Sequence, residues 1–175
     1  MKKIVPLLCL AVLSACDQAP TQQLDNPGTV ISDVPPAKPL AIGQTGQAEG
    51  VDLTLNSVKV TNQIGMAGVG PKLGEGETYV VANYHLKNTS KEPLSIFEWP
   101  KLNLVDAGGA SYVADDTATA MAAAMATAES SISTDLNPGV GTKWVMVWKI
   151  AKNGFDKATW KIVADTSPQH IFALK

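Results

Sequence analysis

The sequence has no arginine, and its fourteen lysines stand against sixteen carboxylates for a net charge of −2. A nucleic-acid partner calls for clustered Lys and Arg against phosphate, so that class is excluded. Charged residues make up 17% and apolar residues 45%, which fits neither a chain disordered throughout nor a membrane bundle. Cysteine is confined to Cys9 and Cys16. No aromatic residue precedes Tyr79, and all ten lie between Tyr79 and Phe172, so the core belongs to the later part of the chain. The one long apolar run, Ile4 to Leu13, would span about 15 Å as a helix, half a bilayer. With 175 residues the chain has room for one ordinary domain and an extension.

What is present at the start reads as an address. Lys2 and Lys3 form a positive n-region ahead of the apolar run, which ends in Leu13-Ser14-Ala15-Cys16. This ending resembles a bacterial lipobox, in which small residues precede the cut and the cysteine thiol carries diacylglycerol. Residues 1–15 are then a lipoprotein signal peptide, and Cys16 is the lipidation site. Cleavage removes Cys9 with Lys2 and Lys3, leaving twelve lysines, sixteen acids and a single acylated sulfur. No disulfide within the chain and no free thiol for catalysis remain. Two or three acyl chains suffice for stable anchoring, so membrane lipid is the first expected partner. Asp17 after the cysteine resembles the enterobacterial signal for retention at the inner membrane. The periplasmic face of the inner membrane is therefore expected, with the outer membrane as the alternative.

Residues 16–40 carry Pro20, Pro27, Pro35, Pro36 and Pro39 and no aromatic, the composition of a disordered tether. As a flexible coil this stretch reaches about 25–30 Å. Residues 41–175 change character. Apolar residues recur with period two, interrupted by turn signals every eight to twelve residues. Val51, Leu53 and Leu55 alternate, then Val58 and Val60 continue on the other parity, so a β-bulge is expected at Asn56-Ser57. From Tyr79 to Asn88, Val80, Ala82, Tyr84 and Leu86 share one face, with Asn83, His85 and Lys87 on the other. Leu94 to Phe97 reads as a short strand. Trp144, Met146, Trp148 and Ile150 oppose Val145 and Val147, which predicts a central strand. Thr117 to Ala128 breaks the period with seven alanines and two methionines, and reads as a short helix capped by Asp115 and Asp116. The expected fold is all-β: an immunoglobulin-like β-sandwich of about eight strands with one short Ala-rich helix.

Several pieces occur in a recognisable order: Gly43-Gln44-Thr45, Val51 to Val60, Gly76-Glu77-Thr78-Tyr79-Val80-Val81-Ala82, Lys87-Asn88-Thr89-Ser90-Lys91-Glu92-Pro93-Leu94, and Leu136-Asn137-Pro138-Gly139 ahead of Trp144 to Ile150. Together they resemble the bacterial immunoglobulin-like family called domain of unknown function 4352. That family is similar in fold to the secreted mycobacterial immunoprotective antigen and is common in lipoproteins. The resemblance implies a sandwich fold and an envelope compartment, with no reaction and no catalytic residues to carry over. The Ala-rich insert departs from the family pattern, which leaves the topology between Val113 and Leu136 open.

Chemistry-bearing motifs are scarce. The chain has no H-E-x-x-H, G-x-S-x-G or C-x-x-C, and Ser111 has the wrong spacing for a nucleophile elbow. Gly68 to Gly76 lacks the Gly-Lys-Ser/Thr ending of a phosphate loop and has no helix behind it. No enzyme and no cofactor are expected. The leading reading is a non-catalytic protein-binding or scaffolding module that contacts another envelope protein. Its candidate contact is the glycine-rich loop with Gly65, Gly70, Lys72 and Gly76. The alternative is a small-molecule or copper carrier, for which Met66, Met121, Met125, His85 and His170 supply soft and imidazole ligands. As plain structural residues, Met121 and Met125 on one helix face would pack against a sheet, His85 would face solvent with Asn83 and Lys87, and His170, alternating with Phe172 and Leu174, would be partly buried. Such a carrier needs a pocket under the Ala-rich segment.

Overall fold

The computed structural model describes residues 38–66, 68–126 and 135–175. The signal segment, Cys16, Asp17 and the expected tether lie outside the described residues, as does the connection 127–134. Among the described residues no helix is long and apolar enough to cross a membrane.

The described chain from residue 38 onward forms two four-stranded antiparallel sheets packed face to face, an immunoglobulin-like β-sandwich. The first sheet contains β1 (Thr45–Ala48), β2 (Val51–Thr61), β3 (Glu77–Asn88) and β6 (Gly141–Ala151) in the order β1-β2-β3-β6. The second contains β4 (Leu102–Val105), β5 (Ser111–Tyr112), β7 (Lys161–Ala164) and β8 (His170–Ala173) in the order β5-β4-β7-β8. One helix, α1 (Asp116–Ala126), leaves the second sheet after β5 and lies against β6 of the first.

Alternation fills the space between the sheets. Leu53, Leu55, Val80, Ala82, Tyr84, Leu86, Trp148 and Ile150 meet Leu104, Ile162, Ala164 and Phe172 from the facing sheet in one buried cluster. The bulge falls where the parity slip predicts: Leu55 pairs Tyr84 and Ser57 pairs Asn83, leaving Asn56 as the extra residue. A short parallel bridge between Leu40 and Phe172 ties the start of the described chain to β8.

A second apolar layer covers the outer face of the first sheet. Ile64, Tyr79, Val145 and Val147 are buried beneath Ala118 and Ala123 of α1, with Met121 and Ala122 packed alongside. Alanine at those positions lets the helix backbone approach the strands closely. Asp115 caps the helix, accepting a hydrogen bond from the Ala118 N–H at 2.9 Å.

Three expectations are corrected. Among the described residues the strand holding Trp148 is an edge strand, paired with β3 alone. Its two apolar faces arise because one meets the sandwich core and the other meets α1. The helix also seals that edge: the Val147 N–H donates to Thr119 Oγ1 at 3.0 Å, and the Asp115 N–H donates to the Val147 carbonyl at 2.8 Å. Leu94 to Phe97 is not a strand. Leu94 makes a lone bridge to Leu136, and Ile96–Glu98 is a 3-10 turn closed by a Ser95/Glu98 capping box. Finally, Val60 continues the alternation but is left largely exposed.

Thr119→Val keeps the volume of the side chain but leaves the buried Val147 N–H without an acceptor. Urea unfolding should show a loss of about 1–3 kcal/mol with an unchanged slope. A loss below about 0.5 kcal/mol would mean that the helix does not seal the edge.

Candidate functional site

Two features of the first sheet stand out: the long β2–β3 connection and a cavity on the outer face. The connection runs from Asn62 to Gly76 and is nailed down at both ends. Ile64 is buried in the outer layer, and Leu73 packs against the same layer. Gly65 and Gly70 cross at the base with positive φ of 93° and 140°. A β-carbon on Gly65 would collide with the Val69 carbonyl, and one on Gly70 with the Ile64 carbonyl, so only glycine permits this crossing. At the tip the Val69 N–H donates to the Met66 carbonyl at 2.9 Å. The Met66 and Val69 side chains stand 69% and 57% exposed above it. Lys72 borders a surface groove of about 380 Å³ along this loop. At the far end the Gly74 N–H donates to the Glu77 carboxylate at 2.6 Å, and Gly76 turns the chain into β3.

The cavity lies under the carboxyl-terminal part of α1, with a volume of about 300 Å³. Its floor includes Asn83 and His85 from β3 and Lys143 and Val145 from β6, and its roof Ala123 and Ala126. The bulge residue Asn56 reaches its edge. His85, expected in solvent beside Lys87, is half-buried instead, because α1 covers this part of the outer face.

The expected copper ligands are scattered. Met66 is on the exposed loop tip, and Met121 packs in the outer layer. Met125, expected to pack beside it, is 55% exposed, because the last turn of α1 stands over the cavity and not over the apolar layer. His85 lines the cavity on the first sheet. His170 starts β8 on the second, half-buried as expected, with its ring against Gly46 and its Nε2 buried without a hydrogen-bond partner among the described residues. Among the described residues no group of three or more His, Cys, Asp or Glu side chains is placed to hold a metal ion.

Electrostatics are quiet. Burial raises the Tyr84 phenol well above its ordinary range. Burial, followed by the charges of Asp115 and Glu77, raises Tyr79, whose hydroxyl is enclosed without a partner among the described residues. Both phenols stay neutral across the physiological range.

Asn88, the last residue of β3, acquires a role beyond ending the strand. Its side chain is fully buried, with Nδ2 donating to the carbonyls of Glu92 and Leu136, each at 2.7 Å. Its Oδ1 accepts from Ser90 N and Oγ at 2.8 and 2.7 Å. The signal for this was the Asn-x-Ser spacing at a strand end, which permits an Asx turn.

Comparison with known proteins places this geometry. The chain is 36% identical over 122 residues to the uncharacterized protein YxkC of Bacillus subtilis (strain 168), across 69% of this chain and 68% of YxkC. The chain belongs to the YxkC family. No family model matches the sequence. Among solved structures, a conserved hypothetical protein from Bacillus anthracis superposes with a TM-score of 0.65 at 25% identity, covering 79% of this chain and 96% of that one. An uncharacterized β-sandwich protein from Clostridium difficile 630 gives 0.53 at 12% identity, covering 79% and 95%. Both likenesses agree with the two-sheet fold of this YxkC relative.

Proposed function

We propose that this chain is a lipid-anchored, non-catalytic binding module of the cell envelope that holds another envelope protein through its β2–β3 loop. The lipobox-like Leu13-Ser14-Ala15-Cys16 supports the anchor, with Cys16 acylated and Asp17 directing retention at the inner membrane. Kinship with the domain of unknown function 4352 belongs to the same reading and rests on the ordered sequence pieces. The observation that carries the binding role is the loop tip: two large apolar side chains, Met66 and Val69, raised on a glycine crossing that is flanked by buried Ile64 and half-buried Leu73. An exposed apolar pair on a braced loop is suited to fill a pocket in a partner.

Met66→Glu combined with Val69→Glu changes exposed positions alone and should leave the thermal midpoint within about 2 °C of the parent. Capture of the partner from detergent-solubilised envelopes should fall at least about tenfold, the effect of losing two central apolar contacts. Undiminished capture would remove the loop from the interface.

A second reading, the carrier, is favoured by the cavity under α1. In this reading the cargo is a small organic ligand, supported by the placement of Met66, Met121, His85 and His170 on separate elements.

A further inference from the structure

The cavity beneath α1 plays no part in a loop-mediated contact, yet its lining is chemically biased. At about 300 Å³ it matches the small end of ligand sites. Its described lining contains no carboxylate. Apart from the core phenol of Tyr84, the ionisable side chains among its described lining are His85 and Lys143, which stand directly opposite each other across the β3–β6 ladder. Lys143 is engaged in an interaction of its own. His85 is the group that remains for a ligand. Its ring lies on Gly141, where a β-carbon would come within 2.6 Å of Nε2, so the imidazole occupies space that any other residue there would fill.

Two carboxamides complete the polar side. The bulge turns Asn56 out of the ladder to the cavity edge, and Asn83 is oriented by donating to Ser57 Oγ at 3.2 Å. Bulges commonly re-aim side chains in this way beside binding sites. Opposite them Ala123 and Ala126 of α1 form an apolar wall. The geometry points to a binding site for a small organic monocarboxylate, its charged end at His85, Asn56 and Asn83 and its apolar end against α1. This assignment rests on the carrier reading and is independent of the loop.

The test uses the full-length protein titrated with benzoate, benzamide and benzylamine, followed by backbone amide shifts and thermal midpoint. Benzoate should shift signals of His85, Ala123, Ala126 and Val145 and raise the midpoint. Benzamide should bind about tenfold more weakly for want of charge-assisted hydrogen bonds, and benzylamine should not bind. His85→Gln should weaken benzoate about tenfold and leave benzamide unchanged. Ala126→Phe, at an exposed position, should block all binding without lowering the midpoint of the free protein. Equal binding of benzamide or benzylamine at these residues would overturn the carboxylate assignment and keep the carrier reading. Failure of all three ligands to perturb the wild-type cavity would overturn both.

Discussion

Asn88→Ala is expected to destabilise the domain by about 3 kcal/mol, read as a lower urea midpoint at unchanged slope. The alanine deletes four hydrogen bonds made by one fully buried side chain. Those bonds link the end of β3 to the turn after it and to Leu136, 48 residues further on. The main chain at the same residue adds two more, with its N–H donating to the Val140 carbonyl and its carbonyl accepting from Gly139. The side chain thus holds the entry to β6 against the exit of β3. Asn88→Asp should be comparably damaging, because it loses both donors and buries a charge. Thr89→Ala, one residue on and exposed, should change stability by less than about 0.5 kcal/mol. A cost under about 1 kcal/mol for Asn88→Ala would show that the network is incidental to the fold.

The second large effect concerns the anchor. Cys16→Ala is expected to abolish incorporation of labelled palmitate entirely, because the proposed anchor attaches its diacylglycerol through that thiol. The difference is all-or-none, since alanine has no sulfur to acylate. Asp17→Ser should change which membrane carries the label and leave the label itself intact. Label persisting on Cys16→Ala would remove the lipoprotein reading and the sorting role of Asp17 with it.

Legibility of the fold followed from how local each cause is. The alternation of Val80, Ala82, Tyr84 and Leu86 predicts a strand with one buried face because side chains alternate sides with period two. The slip at Asn56 and the Asp115 cap are equally local and fall as expected. The edge position of β6 was not legible, because Val145 and Val147 are apolar whether a strand or a helix covers them. Leu94 to Phe97 was misread although Ser95 and Glu98 spelled a capping box, since apolar content outweighed the cap signal. At the candidate site the glycine-rich loop was visible from composition, while its braced crossing depends on Ile64 and Leu73 docking onto the outer layer. The environment of His85 was hidden for the same reason: it is set by Ala123 and Ala126 of α1, distant in sequence and adjacent in space.

The central claim is that the anchored domain engages a protein through the β2–β3 loop. The most direct measurement places a photocrosslinking residue at position 69 of the lipidated chain in living cells, with position 113 as an exposed control outside the loop. Val113 is 82% exposed at the end of β5. The account predicts one discrete envelope protein captured from position 69, none from 113, and loss of the adduct when Cys16→Ala removes the anchor. The same adducts from both positions, or none from 69 in the anchored protein, would contradict it.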